Sequence, residues 1–223
     1  MKLIEYPDRD ALMLDLADIL VSELRNALDR QERASFCVPG GTTPGPIFDT
    51  LSAVHLEWDR VDVLLNDERW VPETSDRSNT ALLRRRLITG TASEARLVPL
   101  YADVPEPEDA LDDLAAGVQA VLPLSVLLLG MGADMHTASL FPGADRLEQA
   151  LAPDAPVLLP MRAPGAPEAR ITLAARVLQG AMSTHIVITG DDKRAVIERA
   201  ARLPPTEAPV AAVLPNAQVH WAA

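Results

Sequence analysis

Between positions 12 and 28, Leu12, Leu16, Ile19, Leu20, Leu24 and Leu28 recur at three- and four-residue steps, with Asp15, Asp18, Glu23 and Arg25 between them. That spacing predicts an amphipathic helix. Ser35-Phe36-Cys37-Val38 then reads as a short buried strand ending at Pro39-Gly40-Gly41, and Val61–Leu65 as a second, stopping at Asn66-Asp67-Glu68-Arg69. Ser78 or Asn79 caps a helix through Leu87, and the segment 107–122 is also read as helical. It leads into Val126-Leu127-Leu128-Leu129, an apolar run of the kind a strand buried on both faces requires. Thr172–Leu178 reads as a helix, His185–Thr189 as a strand, and Gly190-Asp191-Asp192 opens a helix through Ala201. The tail near Val219-His220-Trp221 adds a last strand. Alternating strands and helices predict an α/β fold, a mostly parallel open sheet flanked by helices in Rossmann-like fashion. No linker interrupts residues 1–223, so a single domain is expected.

Composition narrows the functional classes. A chain of 223 residues can bury a core without disulfides or metals, and its single cysteine, Cys37, excludes an internal disulfide or a cysteine-based zinc cluster. The formal charge of −12 argues against a nucleic-acid binder. No apolar stretch reaches the length of a membrane helix, and the first residues show no signal-peptide core, which points to the cytoplasm. The 19 prolines punctuate element boundaries and form no low-complexity tract.

Candidate chemistry gathers where strands end, which is where open α/β sheets bind ligands. Gly40-Gly41-Thr42-Thr43 joins a strand to the helix holding Ile47, Phe48 and Leu51. Two glycines let backbone amides curl toward a phosphate, with hydroxyls and a helix N-terminus in support; a tight turn with an N-cap would look the same. Gly130-Met131-Gly132-Ala133-Asp134-Met135 begins like a dinucleotide fingerprint but carries Met135 at the third glycine position, which disfavours a nicotinamide cofactor. Beyond it, His136 follows Asp134 by two residues and precedes Thr137-Ala138-Ser139-Leu140, read as entering a helix. Such a histidine can serve as a base near neutral pH, or simply face solvent beside a capping Asp. His55, His185 and His220 read as structural, and no spacing fits a two-histidine zinc site. Lys2 and Lys193 are the only lysines beside 18 arginines; Lys193, at a helix start after a strand end, suits a point charge reaching a phosphate. Arg84-Arg85-Arg86 fans around a helix as a solvated face.

Taken together, Pro39–Pro44, Asn66–Arg69 with Ser78-Asn79, Leu129–Pro142, Arg170–Leu173 and Gly190–Lys193 resemble, in order and spacing, the 6-phosphogluconolactonase family of the glucosamine-6-phosphate isomerase superfamily. The resemblance implies hydrolysis of 6-phosphoglucono-1,5-lactone to 6-phosphogluconate without metal or organic cofactor. It implies His136 as general base and Asp134 as its partner. Gly40, Gly41, Thr42, Asp67, Arg69, Lys193 and, more weakly, Arg170 would face the phosphorylated substrate. Two positions depart from the family's pattern: Met135, where Gly is usual, and Thr42, where Ser is common. The partner expected is a small sugar phosphate, with no nucleic acid or membrane, for a monomer or small homo-oligomer. Two alternatives stand beside it: a glucosamine-6-phosphate deaminase and a non-catalytic sugar-phosphate-binding regulator. The deaminases follow their Asp-Gly-His block with Asn-Glu-Pro, whereas this chain has Leu140-Phe141-Pro142.

Overall fold

The apolar run at 126–129 forms β6 (Val126–Leu129), the middle strand of a seven-stranded sheet in the computed structural model, which describes residues 1–223. To one side lie β2 (Ala34–Val38), β3 (Val61–Leu65) and β5 (Arg96–Val98). To the other lie β9 (Ser183–Thr189), β10 (Ala217–Ala222) and β1 (Lys2–Glu5). Every pair is parallel. Residues of β2, β3 and β6 are buried along their whole length, as expected for strands covered on both faces. The chain runs outward from β2 through β3 to β5, then returns to β6 on the other side of β2. That reversal makes the gap beyond β2 and β6 the topological switch point.

Helix α1 (Arg9–Leu28) buries Leu12, Leu16, Leu20 and Leu24, and Asp8 caps it by accepting from the Ala11 amide at 2.8 Å. Helix α2 (Gly45–Ser52) packs Ile47, Phe48 and Leu51 inward. Ser78, and not Asn79, caps α3 (Asn79–Arg86), accepting from the Ala81 amide. Helices α4 (Leu111–Gln119), α5 (Leu147–Leu151), α6 (Ala175–Gln179) and α7 (Asp191–Ala200) complete the set. One hydrophobic cluster of 66 buried residues joins sheet and helices.

Four sequence expectations change. The segment 107–122 begins as a tight turn at Pro107–Ala110, and its α-helix is confined to α4. Asn66–Arg69 is no simple strand terminus: Asp67–Arg69 is β4, which starts a second, antiparallel sheet with β8 (Arg170–Leu173) and β7 (Leu158–Met161). Thr172 and Leu173 therefore belong to a strand, where Ile171 and Thr172 suit the pleat, and the helix begins only at Ala175. Thr137–Leu140 makes a tight turn and no helix. Ala138 takes φ of 50°, a left-handed conformation that no right-handed helix can include, and Ser139 spends its side chain on Asp67.

Candidate active site

A cleft of about 250 Å³ opens at the switch point. Its walls come from the loop after β2 (Pro39–Pro44), Asn66, Asp67 and Arg69, Asn79 of α3, the loop after β6, Arg170 of β8, the end of β9, and Lys193 of α7. Gly40, Gly41, Thr42, Asp67, Arg69, Arg170, Lys193 and His136 thus share one cavity. Asp134 contributes no wall; its contact is with His136.

The loop after β6 is a closed turn. The Gly132 amide donates to the His136 carbonyl at 2.9 Å, the Met135 amide donates to the Gly132 carbonyl, and Thr137 Oγ1 donates to the Gly130 carbonyl. Asp134 Oδ1 accepts from the His136 amide at 3.2 Å and lies 2.5 Å from its Nδ1. Burial pushes the Asp134 carboxyl up, but the charge and hydrogen bonds of His136 outweigh it and leave the group below its ordinary range. An ionised carboxylate only accepts, so Nδ1 carries the hydrogen, and in the neutral imidazole it is Nε2 that presents a lone pair. Nε2 has no partner within the chain. A Cβ on Gly132 would collide with His136 Nδ1 and Asp134 Oδ1, so the pair needs glycine there.

Opposite stands a cationic rung. In the β4–β8 register Arg69 faces Arg170, and like charges directly across a ladder repel. Burial lowers the Arg170 pKa; Asp67, with its Oδ2 3.6 Å from Nη1, opposes that shift and Arg69 adds to it. Arg69 Nη1 donates to the Arg77 carbonyl at 2.6 Å, yet the buried Nε atoms of Arg69 and Arg170 have no acceptor, and neither does buried Asn66 Oδ1 a donor. Two guanidinium groups that line one cleft, Arg170 with no hydrogen bond to its side chain, are suited to hold an anion. Lys193 adds a third cation. Its Nζ donates to the Met131 carbonyl at 2.6 Å, and burial draws its pKa down against the pull of Asp134.

The scaffold beneath is a buried carboxylate. Glu68, fully inaccessible, accepts from the amides of Arg69, Asn79 and Thr80 at 2.7–2.8 Å and from the hydroxyls of Thr80 and Ser78. Burial pushes its pKa up and these donors pull against it. Glu68 thereby ties the N-terminus of α3 to β4, and Asn79 Nδ2 reaches the Asp67 carbonyl. From the sequence, Asn66 and Glu68 had no role beyond their place in a motif, and Asn79 was only a candidate helix cap. The only signal available was their position at a strand end and a helix start. No group of three or more His, Cys, Asp or Glu side chains converges to hold a metal ion. No helix is long and apolar enough to cross a membrane.

An all-parallel sheet with an anion-ready cleft at its switch point defines an open α/β protein built to hold a small ligand beyond its strand ends. The chain belongs to the family of glucosamine-6-phosphate isomerases and 6-phosphogluconolactonases, which matches residues 7–221. It is 42% identical to the 6-phosphogluconolactonase of Rhizobium meliloti strain 1021, with 100% of this chain and 98% of the relative covered. It is 41% identical to that of Mesorhizobium japonicum, over 97% and 93% of the two chains. The crystal structure of a 6-phosphogluconolactonase from Shewanella baltica superimposes with a TM-score of 0.96 at 32% identity, covering 100% of this chain and 98% of the other.

Proposed function

We propose that the protein hydrolyses 6-phospho-D-glucono-1,5-lactone to 6-phospho-D-gluconate, the second step of the oxidative pentose phosphate pathway, in the cytoplasm. The observation that carries the reading is the pairing, in one cleft, of a rung of two facing arginines with a histidine whose Nε2 has no partner within the chain. Arg69, Arg170 and Lys193 hold the phosphate, with the Gly40-Gly41-Thr42 loop closing over it. The names of the full-length relatives support the substrate class.

The chemistry follows from the pair. His136 Nε2 takes a proton from water as the water oxygen bonds to the lactone carbonyl carbon, giving a tetrahedral oxyanion and an imidazolium. Asp134 steadies that imidazolium through Nδ1. Backbone amides of the glycine-rich loops are the donors available to the oxyanion. Collapse breaks the bond from carbon to the ring oxygen, which receives the proton back from Nε2. One water is added and the base is regenerated. A lactone is an activated ester, so base catalysis with positioning suffices. The deaminase alternative lacks a proton carrier at Phe141, and Asp145, further along, accepts from the Arg162 amide instead.

The test is kinetic. His136→Ala is expected to lower kcat by roughly 10²–10⁴-fold. Arg69→Ala and Lys193→Ala are expected to raise KM by about ten- to a hundredfold with smaller effects on kcat. Near-parental turnover in a folded His136→Ala protein would remove it from the mechanism.

A further inference from the structure

The ring of Phe141 lies against the imidazole of His136, with centroids 4.4 Å apart and planes tilted by 39°. The guanidinium carbon of Arg170 lies 5.5 Å from the centroid of the same ring. One aromatic side chain therefore touches both the base and a cation of the anion-binding rung. Its place is fixed from beneath. Ser139, two residues before it, donates its hydroxyl to Asp67 Oδ2 at 2.5 Å and its amide to Thr172 Oγ1 at 3.2 Å. Asp67 and Thr172 are themselves register partners across β4 and β8, so the turn carrying Phe141 is pinned to a single rung of the small sheet.

The hydrogen bond to Asp134 holds His136 at Nδ1, while the far edge of the imidazole, which carries Nε2, has no hydrogen-bond partner within the chain. The tilted ring of Phe141 is the packing partner of that imidazole. The aromatic face also carries negative potential, which favours a cation above it. The imidazole becomes a cation only after it has taken the proton from water, so this interaction grows along the reaction and not on binding. Asp134 on its own loop faces the imidazole directly, with Lys193 of α7 acting on Asp134 and Arg170 of β8 on the other side of Phe141.

We infer that Phe141 is a positioning residue for the hydrolysis: it locks the plane of His136 and favours the imidazolium formed when the water proton is taken. The inference rests on the lactonase reading and adds to it a residue that acts through the imidazole of His136. Its effect belongs in kcat, because substrate binding precedes the charge on the imidazole.

The experiment compares Phe141→Leu, which keeps bulk and loses the aromatic face, with Phe141→Tyr, which keeps the face. Initial rates on 6-phosphogluconolactone give kcat and KM, and thermal unfolding reports on the fold of each variant. Phe141→Leu is expected to lose about tenfold in kcat with KM within about twofold of the parent, and Phe141→Tyr to recover most of the loss. Introducing Phe141→Leu into His136→Ala should cost nothing further, since the ring acts through the imidazole. A kcat for Phe141→Leu equal to the parent's overturns the inference, as does a loss confined to KM, a Phe141→Tyr protein as slow as Phe141→Leu, or a full additional loss in the double variant. A parent protein that leaves the lactone at its spontaneous rate overturns the underlying reading instead, and this inference falls with it.

Discussion

Met135 holds φ of 68°, a conformation that costs an L-residue about 1–2 kcal/mol relative to the right-handed regions. The family's usual glycine would avoid that cost. Yet the Met135 side chain is 5% exposed, within the hydrophobic cluster, and its carbonyl accepts from the Val210 amide. Truncating a buried methionine costs about 2–5 kcal/mol even to alanine, and glycine adds about 0.5–1 kcal/mol of backbone entropy. The lost burial outweighs the relieved strain. Met135→Gly should therefore destabilise the protein by about 2 kcal/mol in thermal or urea unfolding. A variant as stable as the parent, or more so, would mean that strain dominates at this turn. The conformation, which re-aims the chain one residue before His136, is the same one a glycine would supply.

The elements that build the anion site were unevenly legible. The apolar run Val126–Leu129 announced β6, shorter apolar stretches announced β2, β3 and β9, because strands covered on both faces need no alternation, and the leucine spacing announced α1. The three-residue strand β4 gave no signal: Asp67-Glu68-Arg69 is entirely charged and reads as a loop. It is a strand because β8 pairs with it from a hundred residues away and Glu68 is satisfied by the start of α3. The same long-range pairing made Thr172 and Leu173 a strand where local spacing suggested a helix. The consequence reaches the site. Arg69 and Arg170 could each be singled out by resemblance, but their opposition across one rung exists only once β4 and β8 meet. The Phe141 contact with His136 likewise depends on a turn whose left-handed Ala138 no local pattern foretells. His136 and Asp134 were readable because both sit in one short turn, where spacing in sequence is nearly spacing in space.

Across the whole molecule, a chain of net charge −12 gathers three cations, Arg69, Arg170 and Lys193, around one cleft, and a second cluster of titratable groups lies away from it. Behind the sheet a buried chain runs Tyr6–His220–His185–Glu23, with contacts of 2.8, 2.9 and 2.7 Å. An ionised Glu23 must accept from His185 Nε2. Burial, with His185 beside it, holds the His220 pKa down at about 4 against an ordinary 6.5. Burial alone would raise Glu23, but the hydrogen bond and charge of His185 take it below its ordinary value. Both groups bind protons more readily once unfolded, so both contributions to stability are lost as pH falls. For His220 the loss runs from about pH 6.5 down to about pH 4 and amounts to about 3 kcal/mol. Urea unfolding of the parent should show that decline, and His220→Gln, which has no proton to gain, should flatten it. An equally steep decline in the variant would place the acid sensitivity in other groups.

The central claim is that this cleft hydrolyses a phosphorylated lactone through His136. Its most direct measurement offers the purified protein 6-phosphogluconolactone and glucosamine 6-phosphate in parallel, following acid release from the first and ammonia from the second. The predicted result is acid release well above the spontaneous rate, lost in His136→Ala, and no ammonia. Steady ammonia release that disappears in His136→Ala, or lactone opening no faster than in buffer, would contradict it.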